Sequence, residues 1–510
     1  STPTDADDDT SRRFIAARVL THPDPARVGE FAPLFDAGVE DTRSVVVNRL
    51  SPEFRTPAGD RSGPLESTRI SRSPLEVTRH LDGLRLNYAF ASPAVEVNGQ
   101  PLVGQRVLSA EELQAGIIVL IGKDLVLWIG WLELIDPAPA VKGLVGESTV
   151  MRRLRQQIHR VADLEVPVLL RGATGVGKEL VAAAIHKYSR RAAASYVAVN
   201  VAGVPPTMAA SELFGHKRGA FTGATEERKG YFAQANGGTL FLDEIGDVSF
   251  DVQALLLRAV QEGVIQPLGG STRQVDVRLI AATDSDLESA VARHEFREPL
   301  LRRFSYEIHV PALRTRRDDI GILFYHLLRE RLESMGEGHR LESPASSVDP
   351  FVPGAYIAQM ALYSWPGNVR ELANVALKFA IENRGRARAR IGDELRNILR
   401  PRNDRSPETT STPPASRRAE EVSDADIIAA LQAEGYRRER AAKRLGVSKS
   451  YLYKRLQGSP ASRSVQDIST DEIRSALSDC GGDVGAAAER LRVSGRALRL
   501  QLKRIEPPSA

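Results

Sequence analysis

The sequence predicts a multidomain chain: an all-β sandwich, an α/β domain with a helical lid, and an all-α helix-turn-helix tail. Three observations carry this. Over residues 11–135, short runs rich in β-branched residues are separated by Pro, Gly, Asp and Ser, which is the spacing of sandwich strands. From 144 to about 390, strand-like runs alternate with helical stretches, as in a parallel sheet covered on both faces. Beyond 420 one helical pattern occurs twice.

In the first region the strand candidates are FIAARVL, RSVVVNRL, SPLEVTRHL, LRLNYAF, AVEVNG and GIIVLIGKDLVLWIGWLEL. DPAPA at 136–140 is a short joint. In the second, VPVLLRG, SYVAVNV, GTLFLDEI and VDVRLIAAT read as buried strands, with helices such as KELVAAAIHKY and VQALLLRAVQEG between them. From about 312 the pattern becomes wholly helical. Residues 391–420 are expected to be a disordered linker, because PRNDRSPETTSTPPASRRAE is rich in Pro, Ser and Thr and poor in apolar residues. Two helical units follow, at 421–458 and 466–506. Ile427, Leu431, Ala441, Ala442, Leu445, Leu452 and Leu456 recur as Ile473, Leu477, Ala487, Ala488, Leu491, Leu498 and Leu502, so the repeat keeps its apolar positions.

Composition narrows the class. Hydrophobic residues at 42% and charged residues at 26% are the mix of a globular protein. No apolar run approaches the roughly 20 residues that cross a bilayer, and STPTDADDDT has no features of a signal peptide. One cysteine, Cys480, excludes an intrachain disulfide and a cysteine-based zinc site. The expected location is cytoplasmic, without membrane contact. A net charge of +4 decides nothing globally, but basic residues thicken toward the C-terminus.

GATGVGKE is the strongest local signal. Gly172, Ala173, Thr174, Gly175, Val176 and Gly177 stand between a strand and a helix, where successive N–H groups can curl around phosphates. Lys178 then reaches the β- and γ-phosphates of ATP. Glu179 stands where the generic pattern has a Ser or Thr ligand of Mg²⁺. GGTLFLDEI supplies the second half, with Asp243 placed to hold Mg²⁺ and Glu244 to polarise the attacking water.

Residues 144–390 resemble the AAA+ domain of the sigma-54-dependent enhancer-binding activators. That family has Glu after the loop Lys, and its GAFTGA signature is intact as Gly219, Ala220, Phe221, Thr222, Gly223 and Ala224. The resemblance implies that this loop touches sigma-54 RNA polymerase and that the chain assembles into a ring, with a hexamer expected. It further implies that Asn200 holds the catalytic Glu244. Asp284 occupies a sensor position where the family usually has Asn, and Arg370, in WPGNVREL, is the second sensor. Arg297 and Arg303, in FREPLLRRF, match arginine fingers that act across a subunit interface. Pro299 departs from the family's acidic residue there.

The tail resembles tandem Fis-type helix-turn-helix units. Lys449, Ser450, Tyr451, Lys454 and Arg455 of the first and Arg496 and Arg499 of the second are the candidate contacts to enhancer DNA. A structural helical hairpin is the alternative, above all for the second copy. The N-terminal sandwich resembles forkhead-associated (FHA) domains, with Arg49, Ser71 and Arg72 where that family grips phosphothreonine. A Ser/Thr kinase or its substrate is the implied partner. Pro74 stands where the family has His, which leaves open a sandwich used only for protein contacts.

The function expected is therefore ATP-driven remodelling of the sigma-54 polymerase closed complex under N-terminal control. Two other classes compete: an AAA+ remodelling ATPase with a different task, and a DNA-binding regulator with vestigial ATP chemistry.

Overall fold

A computed structural model describes residues 12–399 apart from 38–42, 68–69, 71, 82, 91–92, 136–138, 222–223, 343–348 and 387. It then describes 424–433, 438–445, 452, and 468–502 except 482, 492, 494, 496–497 and 500. The chain divides into two compact units, 1–401 and 402–510.

The first unit begins with two antiparallel sheets. Arg12–Thr21 and Leu125–Leu134 pair along almost their whole length at the middle of an eight-stranded sheet. A four-stranded sheet faces it, in the order Gly104–Leu108, Gly83–Tyr88, Leu75–His80, Ser44–Val47. Between the sheets lie Ile15, Ala17, Val19, Val77, Leu86, Val119 and Leu127. Residues alternate faces along a strand, so Phe14, Ala16, Leu20, Ile118, Leu120, Val126 and Trp128 point the other way. They are buried too, against the helical lid of the next domain. This double burial is why IIVLI reads as a continuous apolar run, and FIAARVL as one broken only by Arg18, rather than as alternation. Each large side chain so buried contributes about 2 kcal/mol. The strand at Phe31–Asp36 and the helix at Ala110–Ala115 were not among the sequence candidates. Pro33 breaks the strand's alternating pattern.

The α/β domain is a five-stranded parallel sheet in the order Tyr196–Asn200, Thr239–Asp243, Arg278–Thr283, Val168–Arg171, Tyr306–His309. Separate apolar cores cover its two faces. Helices at Ile320–Ser334, Gly354–Leu362 and Asn368–Glu382 form the lid. The sequence placed a disordered linker from 391, but a helix runs over Asp393–Leu399. Leu395 and Leu399, four residues apart, are buried in the lid core. One helical turn of apolar spacing outweighs a polar composition here.

In the second unit, helices Asp424–Ala433 and Arg438–Leu445 enclose one small core, and Thr470–Asp479 with Val484–Arg490 enclose another. Ile427, Leu431, Ala441, Ala442 and Leu452 build the first, and Ile473, Ala487, Ala488, Leu491 and Leu498 the second. The sequence repeat is therefore a repeat of buried positions. The expected turn at Gly446 and cap at Ser448 lie outside the described residues.

Candidate nucleotide site and its loops

Parallel strands deliver their C-terminal ends to one edge of the sheet, and the phosphate loop starts there. Gly172 follows the Val168–Arg171 strand, and Gly177 caps the Lys178–Lys187 helix with a left-handed φ of 104°. Gly175, at φ 80°, lies so close to the lid that a Cβ would sit 2.4 Å from the Gly367 carbonyl oxygen. Only glycine fits there.

Lys178 is buried. Its Nζ donates to the Gly172 carbonyl at 2.9 Å and lies 3.4 Å from Glu244 Oε1. Burial, with Asp284 and Asp243 nearby, pushes the Glu244 carboxyl above the usual carboxylate range, while Lys178 opposes the shift. Glu244 also holds left-handed backbone, φ 56°, a conformation costly for a non-glycine residue and frequent at functional sites.

Asp243 ends its strand opposite Asn200. Its Oδ2 accepts from Asn200 Nδ2 at 3.2 Å. Its Oδ1 is buried with no hydrogen-bond partner among the described residues. A carboxylate oxygen left over beside a phosphate cradle fits Mg²⁺, which takes one or two carboxylates and completes its shell with phosphates and water. The structure corrects the role expected of Asn200: its amide holds Asp243, and Glu244 is turned to Lys178. The strand register decides this, because it sets Asn200 directly beside Asp243.

Thr174 to Glu179, Asn200, Asp243 and Glu244 line one side of a cavity of about 410 Å³. Leu144, Met151, Leu180, Leu323, Val369 and Ala373 give it an apolar end suited to a base, and Arg370 enters from the lid. Asp284 lies beside it, accepting from Thr174 Oγ1 at 2.6 Å.

Two lining or linking residues were missed from sequence. Arg316 lies in the cavity wall, buried. Asn368, also buried, donates to the Thr174 carbonyl at 3.0 Å and accepts from Leu313 N, tying the lid to the phosphate loop. Its position within WPGNVREL was the signal available.

Arg297 and Arg303 do not line this cavity. Arg297 stacks on Phe250 at 3.8 Å and donates to its carbonyl; Arg303 Nε lies 2.9 Å from the Gln261 side-chain amide.

The GAFTGA segment rises on a two-stranded stem, Gly215–His216 with Arg228–Lys229. Gly219 N donates to the Ala224 carbonyl, and Ala220 and Phe221 lie between them. Phe221 is 42% exposed, edge-on to His216 at 5.0 Å. Thr222 and Gly223 lie outside the described residues.

In the β domain, Arg49 and Arg72 stand on adjacent loops joined by a hydrogen bond from Asn48 Nδ2 to the Arg72 carbonyl. Ser71 lies outside the described residues. In the tail, Arg499 is exposed, and Lys449, Ser450, Tyr451, Lys454, Arg455 and Arg496 lie outside them.

Three family profiles match the chain: Sigma-54 interaction domain over 144–309, AAA+ ATPase lid domain over 314–409, and Bacterial regulatory protein, Fis family, over 419–457. The Nif-specific regulatory protein of Azotobacter vinelandii is 40% identical over 317 residues, covering 62% of this chain and 58% of that protein. The C4-dicarboxylate transport transcriptional regulatory protein DctD of Rhizobium meliloti (strain 1021) is 45% identical over 240 residues, 47% of this chain and 50% of that one. The solved structure of NtrX from Brucella abortus in complex with ATP is similar at 32% identity and a TM-score of 0.44, over 62% of this chain and 69% of that one. The chain thus spans between half and three fifths of the length of these curated relatives. With its ATPase domain, lid and helix-turn-helix in this order, the chain belongs to the sigma-54 activators of the AAA+ class.

Proposed function

We propose that this protein binds upstream DNA, assembles into a homo-oligomeric ring and couples ATP hydrolysis to remodelling of the sigma-54 RNA polymerase closed complex. The observation that carries the reading is the joint presence of the Lys178, Asp243 and Glu244 cluster and an exposed aromatic, Phe221, on a stem away from that cavity.

Lys178 and the loop N–H groups bind the phosphates. Asp243 would hold Mg²⁺, which would supply charge neutralisation on the phosphates. Glu244, with its raised proton affinity, accepts the proton of the attacking water. Arg370 moves with the lid and reports nucleotide state to it. Arg297 and Arg303 complete the site of the next subunit, so turnover requires assembly. The tail fixes the ring near the promoter through Arg499 and the basic residues of both repeats, raising its effective concentration there.

We further propose that the sandwich is FHA-like and that Arg49, Ser71 and Arg72 receive a phosphothreonine from a kinase substrate or from the kinase itself. The juxtaposition of the Arg49 and Arg72 loops supports this, since paired donors suit a phosphate.

Transcription in vitro tests the main reading. With sigma-54 polymerase, Mg²⁺ and ATP, the protein should give open complexes, and with the housekeeping polymerase none. Equal stimulation of both polymerases, or stimulation without ATP, would reject it.

A further inference from the structure

The β domain does not merely neighbour the ATPase domain. Gly321, in the first lid helix, lies so close to the Arg12–Thr21 strand that a Cβ would meet the Leu20 carbonyl at 2.0 Å. Gly354, opening the second lid helix, leaves the same kind of gap, 2.6 Å, to the Lys123 carbonyl. Thr21 Oγ1 and Tyr325 Oη share a buried hydrogen bond of 2.7 Å. Glycines at both close approaches make this a fitted contact.

At its edge four charged side chains are buried together. Arg18 Nη1, from the β domain, lies 3.1 Å from Asp318 Oδ2 and 4.0 Å from Asp319 Oδ1. Asp319 is otherwise satisfied: it accepts from Glu147 N, Ser148 N and Ser148 Oγ, and so pins the loop leading into the nucleotide cavity. The fourth is Arg316, in the cavity wall. Its Nε is buried without a hydrogen-bond partner among the described residues. Asp318 and Asp319 are the anions that act on it electrostatically.

Two carboxylates thus act on two guanidinium groups, Arg18 on the β domain and Arg316 in the cavity wall. Removing one cation leaves a buried carboxylate uncompensated, and a buried charge recruits whatever cation it can reach. Without Arg18, Arg316 is a cation that already acts on Asp318 and could take its place.

We propose that Arg18 is a positioning residue for the nucleotide site: by neutralising Asp318 it leaves Arg316 available to the nucleotide, so that docking of the β domain and nucleotide binding strengthen each other. The coupling is reciprocal by thermodynamic necessity. A signal that loosened the β domain would then weaken nucleotide binding through a defined pair of residues. This rests on reading the cavity as the ATP site.

Nucleotide affinity of the full chain, titrated with a fluorescent ADP analogue, tests it. Arg18→Met should weaken binding on the order of tenfold, within the range of site-to-site coupling. Adding Asp318→Asn to Arg18→Met should restore most of the loss, because no carboxylate then captures Arg316. Arg316→Met should weaken binding in every background. Gly321→Ala disturbs docking without changing any charge and should also weaken binding, which keeps the test open if Arg18→Met folds poorly. Unchanged affinity in Arg18→Met or Gly321→Ala, or a double variant no better than Arg18→Met, would overturn the coupling. Lys178→Ala run alongside separates the two levels. If it abolishes binding while Arg18→Met does not alter it, only the coupling fails; if the unaltered chain binds no nucleotide, the reading of the cavity fails with it.

Discussion

The nucleotide cavity and the Arg49–Arg72 loops are both candidate phosphate sites, yet they are held differently. At the cavity, strand ends carry Asn200, Asp243 and Thr283 to one edge, and lid residues close over them. At the β-domain loops, a hydrogen bond from the Asn48 side chain, next to Arg49, reaches the Arg72 carbonyl. The first site is organised by the sheet before any ligand arrives. The second sits on loops rather than on strand ends. A strand-end site tolerates little change in its charged residues, whereas a loop site shows its energetics only with the ligand present.

The comparison is sharpest at Lys178 and Glu244. Glu244→Gln should lower the ATPase kcat by about 10²–10⁴, the usual worth of a positioned base, with nucleotide affinity almost unchanged. Lys178→Ala should instead lose affinity. Steady-state turnover together with nucleotide titration separates them, and parallel losses of affinity in both would break the assignment of base and phosphate ligand.

At the loop site, Arg49→Ala should weaken a phosphothreonine peptide by about 10- to 100-fold, the worth of a charged hydrogen bond. It should leave the thermal stability of the chain within about 0.5 kcal/mol, as for a surface change. Calorimetry with phosphorylated and unphosphorylated peptides checks this. Indifference to phosphorylation would make the sandwich a protein-contact domain and not a phosphate reader.

A smaller effect probes the interior of the β domain at His22. His22 is buried, with Nε2 3.1 Å from the Leu65 carbonyl, and burial depresses its pKa from 6.5 to about 4. The unfolded chain therefore takes up a proton first as pH falls. Stability from the neutral His22 is intact above 6.5 and is lost toward about 4, by on the order of 1 kcal/mol per pH unit. His22→Gln should flatten that slope in denaturant unfolding between pH 6.5 and 4.5. An unchanged slope would show that His22 is not the titrating group.

The uneven holding of the two sites explains what was legible in the amino-acid order. Phosphate-loop chemistry needs fixed residue types at fixed spacing, so Lys178, Asp243 and Glu244 could be named, and the parallel sheet follows from the alternation around them. The partner of Asn200 could not, because it depends on strand register. In the sequence Arg18 is one polar residue in FIAARVL. In that strand it shares a face with Phe14, Ala16 and Leu20, all buried on the lid. A cation in an apolar row was a signal, but its meaning needed the lid opposite. The helix at Asp393–Leu399 was hidden in a polar stretch for the same reason, since only the lid core gives Leu395 and Leu399 somewhere to go.

On the function proposed, ATP turnover at the Lys178 cluster is delivered to polymerase through the loop at Phe221. ATPase rate and open-complex formation by Phe221→Ala, measured on the same sample with sigma-54 polymerase, test it most directly. Turnover should stay within about twofold of the unaltered chain, because Phe221 lies outside the cavity, with open complexes abolished. Open-complex formation at the unaltered level, with turnover intact, would contradict it.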